Sequence, residues 1–139
     1  NRGCSHRQSR RLKMTKLTKV APAGRQLVQA YGNGIFRVSG TTFDGSVIIL
    51  PHMTIKWAAH SYESITPTIL EPFTRADLSI ELLLIGCGAN IGLPSDDIRN
   101  YLKELNITSE WMDTGAACRT FNVLVAEDRA VGAALIAVD

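Results

Sequence analysis

Leu82-Leu83-Leu84-Ile85-Gly86-Cys87-Gly88 opens the stretch on which the fold turns, because strand and helix signals alternate from there to the end of the chain. Four apolar residues running into a Gly-x-Gly read as a short strand buried on both faces, then a tight turn. Ser95 follows as a helix N-cap, with Asp96 and Asp97 where the helix dipole favours negative charge. Ile98, Tyr101, Leu102 and Leu105 recur at i, i+3, i+4 and i+7, which is one face of an amphipathic helix. Ile107–Met112 reads as a strand, Gly115–Glu127 as a second helix and Val131–Val138 as a closing strand. Strand, helix, strand, helix, strand requires crossover connections, so these strands are expected to be largely parallel.

Upstream the rhythm differs. Asn33-Gly34 and Asp44-Gly45 are two-residue turns of the kind that closes hairpins, since both residues tolerate positive φ. They separate strand-like runs at Leu27–Tyr31, Ile35–Phe43 and Ser46–Leu50. Val47–Leu50 is apolar without a break, Pro51 ends it, and Met53–Ala58 reads as a further strand. Residues 65–76 hold Thr66-Pro67, a helix start, with Pro72 limiting the length. The expectation is one three-layer α/β domain over residues 25–139, with a central mixed, largely parallel sheet and an N-terminal antiparallel meander that joins or covers it.

Composition fits such a domain: 139 residues, 45% hydrophobic and 20% charged. The net charge of +2 conceals a split, because residues 1–19 carry seven Lys or Arg and no acid, leaving eight basic and thirteen acidic groups in the rest. Residues 1–24 are therefore expected to be a basic, disordered tail. With no aromatics and no apolar periodicity it reads as a solvated leader rather than a specific nucleic-acid binder. Met14, just after the densest basic run, is a candidate initiator. No apolar run approaches the ~18 residues of a membrane span, and no hydrophobic stretch follows the basic N-terminus. Three widely spaced cysteines (Cys4, Cys87, Cys118) make neither a disulfide framework nor a paired metal motif. A reducing cytoplasm is the expected compartment, with peripheral contact to a membrane left open.

Ligands of open α/β sheets bind where strands end and helices begin. Two loops occupy that position here: Gly86-Cys87-Gly88, and Asp113-Thr114-Gly115 after the strand ending at Met112. Parallel strands would bring both to one edge. Cys118 falls in the first turn of the following helix, where amide N–H groups lower a thiol's pKa, and Arg119 beside them suits a carboxylate or phosphate. Asn122 is one turn further on. The candidate site is thus Gly86, Cys87, Gly88, Asp113, Thr114, Cys118, Arg119 and Asn122. Each has a structural reading too: Asp113 or Thr114 as a cap, Cys118 packed beside Ala116 and Ala117, Arg119 paired with Asp113. The Walker and dinucleotide fingerprints are absent. His52 and His60 lack partners at ligand spacing, so no metal or other cofactor is expected. Trp57 and Trp111 read as core or interface residues.

Taken together, several stretches resemble a family long labelled a domain of unknown function. Tyr31-Gly32-Asn33-Gly34-Ile35-Phe36-Arg37-Val38, then Gly45-Ser46-Val47 and Leu50-Pro51, are similar to its opening. Met112-Asp113-Thr114-Gly115-Ala116-Ala117-Cys118-Arg119-Thr120-Phe121-Asn122-Val123-Leu124 is the more specific match, and Ala133-Ala134-Leu135 closes the domain in the same way. The resemblance covers roughly residues 25–138. That family includes the mitochondrial complex I (NADH dehydrogenase) assembly factor 3. The resemblance implies a three-layer α/β fold with a central mixed sheet, brings no established enzyme activity with it, and implies protein partners among the subunits of a membrane respiratory complex. Cys87 departs from the Thr that family members often carry between the two glycines. The rival expectation is a small anionic-ligand binder or enzyme at the Gly86–Gly88 and Asp113–Asn122 loops.

Overall fold

The computed structural model describes residues 14–17, 24–74, 80–90 and 92–139. Asn33 and Gly34, at φ of 53° and 74°, make the expected two-residue turn between β2 (Val28–Gly32) and β3 (Ile35–Val38). A second such turn lies where a single strand over Ile35–Phe43 was expected. Ser39 and Gly40, at φ of 47° and 88°, fold β4 (Thr41–Asp44) back onto β3. The short β1 (Thr15–Lys16), inside the stretch read as a tail, pairs antiparallel with β2 and completes a four-stranded sheet. Residues 1–13 and 18–23 of that tail lie outside the described residues.

Asp44-Gly45 does not close a hairpin. Gly45, at φ 91°, donates its N–H to the Gly34 carbonyl (2.9 Å), and the chain turns there from the four-stranded sheet into a second one. That sheet holds β5 (Val47–Leu50), β6 (Met53–Lys56), β7 (Leu82–Gly86), β8 (Thr108–Met112) and β9 (Val131–Leu135) in the order β6-β5-β9-β7-β8. β7 runs parallel to both its neighbours, while β5 is antiparallel to β6 and β9, so the sheet is mixed as expected. β9 at its centre is buried throughout, and so is β5.

Between the strands lie α1 (Asp96–Glu104), capped by the Ser95 hydroxyl accepting from Ile98 N–H, and α2 (Thr114–Ala126). The helix expected over residues 65–76 is a 3-10 helix instead, at Thr68–Thr74, preceded by a 3-10 turn at Tyr62–Ser64. Pro72 lies inside the Thr68–Thr74 helix, and its ring crowds the carbonyl four residues back that an α-helix would bring into line there. Residues 75–79 lie outside the described residues.

Alternation along β7 sends Leu83 and Ile85 to one face of the sheet and Leu84 to the other. The first face packs Ile48, Leu50, Trp57, Leu70 and Phe73 with Ile98 and Leu102 of α1. The second packs Ile49 and Leu135 against Phe121 and Val125 of α2 and against Val28, Phe36 and Val38 of the four-stranded sheet. These are the three layers. The upstream strands therefore do both things open to them: β5 and β6 extend the central sheet, and β1–β4 cover it. Among the described residues no helix is long and apolar enough to cross a membrane.

Candidate functional site

Gly86 of β7 sits opposite Met112 of β8, so the two loops open on one edge, as the parallel pairing requires. They meet directly rather than across a gap. Cys87 N–H donates to the Met112 carbonyl (2.7 Å), and Thr114 N–H to the Gly88 carbonyl (2.9 Å). The Thr114 hydroxyl accepts from Gly88 N–H (2.9 Å) and donates to the Ile136 carbonyl (2.7 Å). Ile136 N–H returns to the Gly86 carbonyl at 3.0 Å. One fully buried threonine thus ties together the ends of β7, β8 and β9. The glycines follow from this knot. A Cβ at Gly86 would stand 2.9 Å from Thr114 Cα, and Gly88 turns at φ 95°.

Asp113 is the N-cap of α2, its carboxylate accepting from Ala116 N–H at 2.8 Å. Cys118 is 0% exposed, and burial pushes its thiol up to about 12, against a smaller downward pull from the Arg119 guanidinium. Cys118 is the fifth residue of α2, not a first-turn residue, so it lies past the free N–H groups that would lower a thiol's pKa. Its side chain faces the sheet and packs there as a core atom. The signal for this is in the sequence: Thr114, Ala117, Cys118, Phe121 and Val125 recur at helical spacing and all are buried. Asn122 is 1% exposed and also faces inward. Its side-chain amide donates to the Val28 carbonyl (2.7 Å) and its oxygen accepts from Val28 N–H (3.0 Å), which staples α2 to β2. The staple falls where the β2–β3 register shifts between Val28 and Ala30. Arg119 is exposed and lies with Tyr31 over the first turn of α2, where a Cβ at Gly115 would meet Tyr31 Oη at 2.6 Å and Arg119 Nη1 at 3.4 Å.

The structure thus brings together Gly86, Cys87, Gly88, Asp113 and Thr114. It turns Cys118 and Asn122 into the core and leaves Arg119 outside. Open space at this edge lies on the α1 side, in a cleft of about 520 Å³ lined by His60, Glu63, Cys87, Gly88, Asn90 and Ile136. From sequence His60 is weighed only as a metal ligand, and Glu63 and Asn90 were not foreseen, because they come from segments whose local pattern carries no chemistry. The Cys87 thiol there is 5% exposed and pushed up by burial, with sulfur contacts of 3.8 Å to the Ile85 and Gly92 carbonyls. Among the described residues no group of His, Cys, Asp and Glu is arranged to hold a metal ion.

Residues 28–136 match the family model described as "Protein of unknown function (DUF498/DUF598)". The chain belongs to that family. Within reach of the DUF498/DUF598 chain is a zebrafish (Danio rerio) protein named NADH dehydrogenase [ubiquinone] 1 alpha subcomplex assembly factor 3, 33% identical over 129 residues. That match covers 93% of this chain and 74% of the zebrafish protein. Among solved structures, a Bartonella henselae protein described as an outer membrane protein superposes with a TM-score of 0.78 at 40% identity, covering 86% of this chain and all of the other. A Bordetella pertussis protein described as a Mth938-like domain does so at 0.70 and 27% identity, covering 88% of this chain and 92% of that one. The DUF498/DUF598 fold is thereby established independently of any ligand.

Proposed function

We propose that this chain is a non-catalytic accessory protein that binds subunits of a membrane respiratory complex of the NADH dehydrogenase type while that complex is assembled. The observation that carries the reading is the similarity over 93% of the chain to a protein named as an assembly factor of that complex. The site geometry supports it over the rival enzyme. Thr114 and Asn122 spend their polar atoms on the chain's own backbone, and the Cys118 thiol has no exposed surface. On this reading the chain works from the cytoplasm at the periphery of the inner membrane, through contacts to protein.

Affinity capture from gently solubilised cells of its own source tests this. Enrichment of NADH dehydrogenase subunits or partly built assemblies over an unrelated tagged domain is the expected result. Recovery of the chain without any of those subunits, from cells that contain the complex, would overturn the proposal.

A further inference from the structure

β8 is an outer strand of the five-stranded sheet. Thr108 N–H bonds to the Glu81 carbonyl and the Met112 carbonyl accepts from Cys87 N–H, so the even-numbered residues of β8 face β7. Strand alternation then aims the N–H and C=O groups of Ser109 and Trp111 outward, where they meet no backbone partner among the described residues. What satisfies such groups is another extended backbone. At the opposite edge, the 24–26 segment meets the turn into β6 and one β6 side chain, with Gln26 N–H on the Pro51 carbonyl and Thr54 Oγ1 on Gln26 Oε1.

Side chains flanking the β8 edge define what could lie there. Trp111 packs on the α1 face, where its Nε1–H donates to Ser109 Oγ at 3.1 Å. Beside it is a pocket of about 250 Å³ lined by Ile65, Leu93, Pro94, Ile98 and Trp111, with Leu93 79% exposed at its rim. Glu110 falls on the other face with Met112 and is exposed. Neither β8 nor the pocket contributes a cation, and Glu63 adds a second acid at the pocket. A second copy of this chain is a poor match. Full antiparallel self-pairing of a five-residue strand centres on its third residue, which is Glu110, and sets like charges directly opposite.

We infer that the β8 edge is a docking site for an extended segment of a partner protein in which apolar and basic residues alternate. Its backbone pairs with Ser109 and Trp111, its apolar side chains enter the Leu93–Trp111 pocket, and its Lys or Arg side chains face Glu110. The site is stated by its chemistry and does not depend on which complex the chain serves.

Backbone amide exchange read by NMR on the labelled chain tests it, using two synthetic eight-residue probes, one alternating lysine and valine, the other glutamate and valine. The lysine probe is expected to slow exchange at Ser109 and Trp111 by about tenfold or more, and the glutamate probe to leave both unchanged. Ser109→Pro removes an outward N–H without touching the β7–β8 ladder and should abolish the slowing at Trp111, whereas Ser109→Ala, which loses only the hydroxyl that accepts from Trp111 Nε1, should keep it. Glu110→Lys, which keeps every backbone group, should reverse the preference between probes. Slowing at β4 or β6 instead, equal response to both probes, or no slowing at all would overturn the inference. Slowing that grows with protein concentration in the absence of probe would assign the edge to a second copy, and would equally overturn it. Loss of the edge by this test leaves the capture of respiratory subunits as it stands, and the converse holds too.

Discussion

Thr114→Val is the sharpest test of the knot at the strand ends. Valine keeps the shape and the β-branch of threonine and removes only the hydroxyl. Two hydrogen bonds disappear, the 2.9 Å bond from Gly88 N–H and the 2.7 Å bond to the Ile136 carbonyl, both buried. Each orphaned group costs about 1–3 kcal/mol. Gly88 and Ile136 also line the 520 Å³ cleft, so water can reach toward them, which sets the expected loss near the low end, at about 2–3 kcal/mol in all. For a domain of this size that corresponds to roughly 6–12 °C in Tm. Thr114→Ser keeps the hydroxyl and removes a buried methyl, for a smaller loss of about 1 kcal/mol. Urea unfolding of the three proteins followed by circular dichroism, with m-values compared, reads the differences. A valine variant within about 0.5 kcal/mol of the parent, or a serine variant less stable than the valine one, would refute the claim that this hydroxyl holds the three strand ends.

Asn122→Ala is expected to cost about 2–4 kcal/mol, because Val28 loses partners for both its N–H and its C=O in a buried setting; hydrogen exchange at the Val28 amide should rise more than at β7 amides, and unchanged Val28 protection would show that the staple is dispensable. The Cys118 thiol carries a pH prediction. Its pKa is raised from 9.0 to about 12 by burial, so above pH 9 the unfolded state releases a proton that the folded state retains. Its contribution is therefore fully present below pH 9 and is lost as pH rises toward 12, by up to about 1.4 kcal/mol per unit. Cys118→Ala should flatten the fall in stability over that range, and a parent and variant with parallel profiles would contradict the burial argument. Native protein at pH 8 should also leave Cys118 unlabelled by a thiol reagent over times in which the urea-unfolded chain is labelled fully, as mass spectrometry of the peptide would show.

Sequence alone settled the succession of strands and helices after residue 82, the Asn33-Gly34 hairpin and the Ser95 cap. These depend on interactions within one turn of the chain: an N–H reached from three residues back, or a φ that only certain residues accept. It also placed the two strand-end loops on one edge, since parallel strands leave no other arrangement. Local pattern failed where the same signal serves two geometries. Asp44-Gly45 has the chemistry of a hairpin turn but forms a corner between sheets, and Ser39-Gly40 makes a turn inside what reads as one strand. In the candidate site the nominated residues proved to be neighbours, yet their roles were decided by partners 22 to 94 residues away. Whether Thr114 offers its hydroxyl to a ligand or to the Ile136 carbonyl, and whether Cys118 faces water or the sheet, depends on how α2 rotates against β7 and β9. Only packing of the whole core fixes that rotation, because burying Phe121 and Val125 leaves the helix a single face to turn inward.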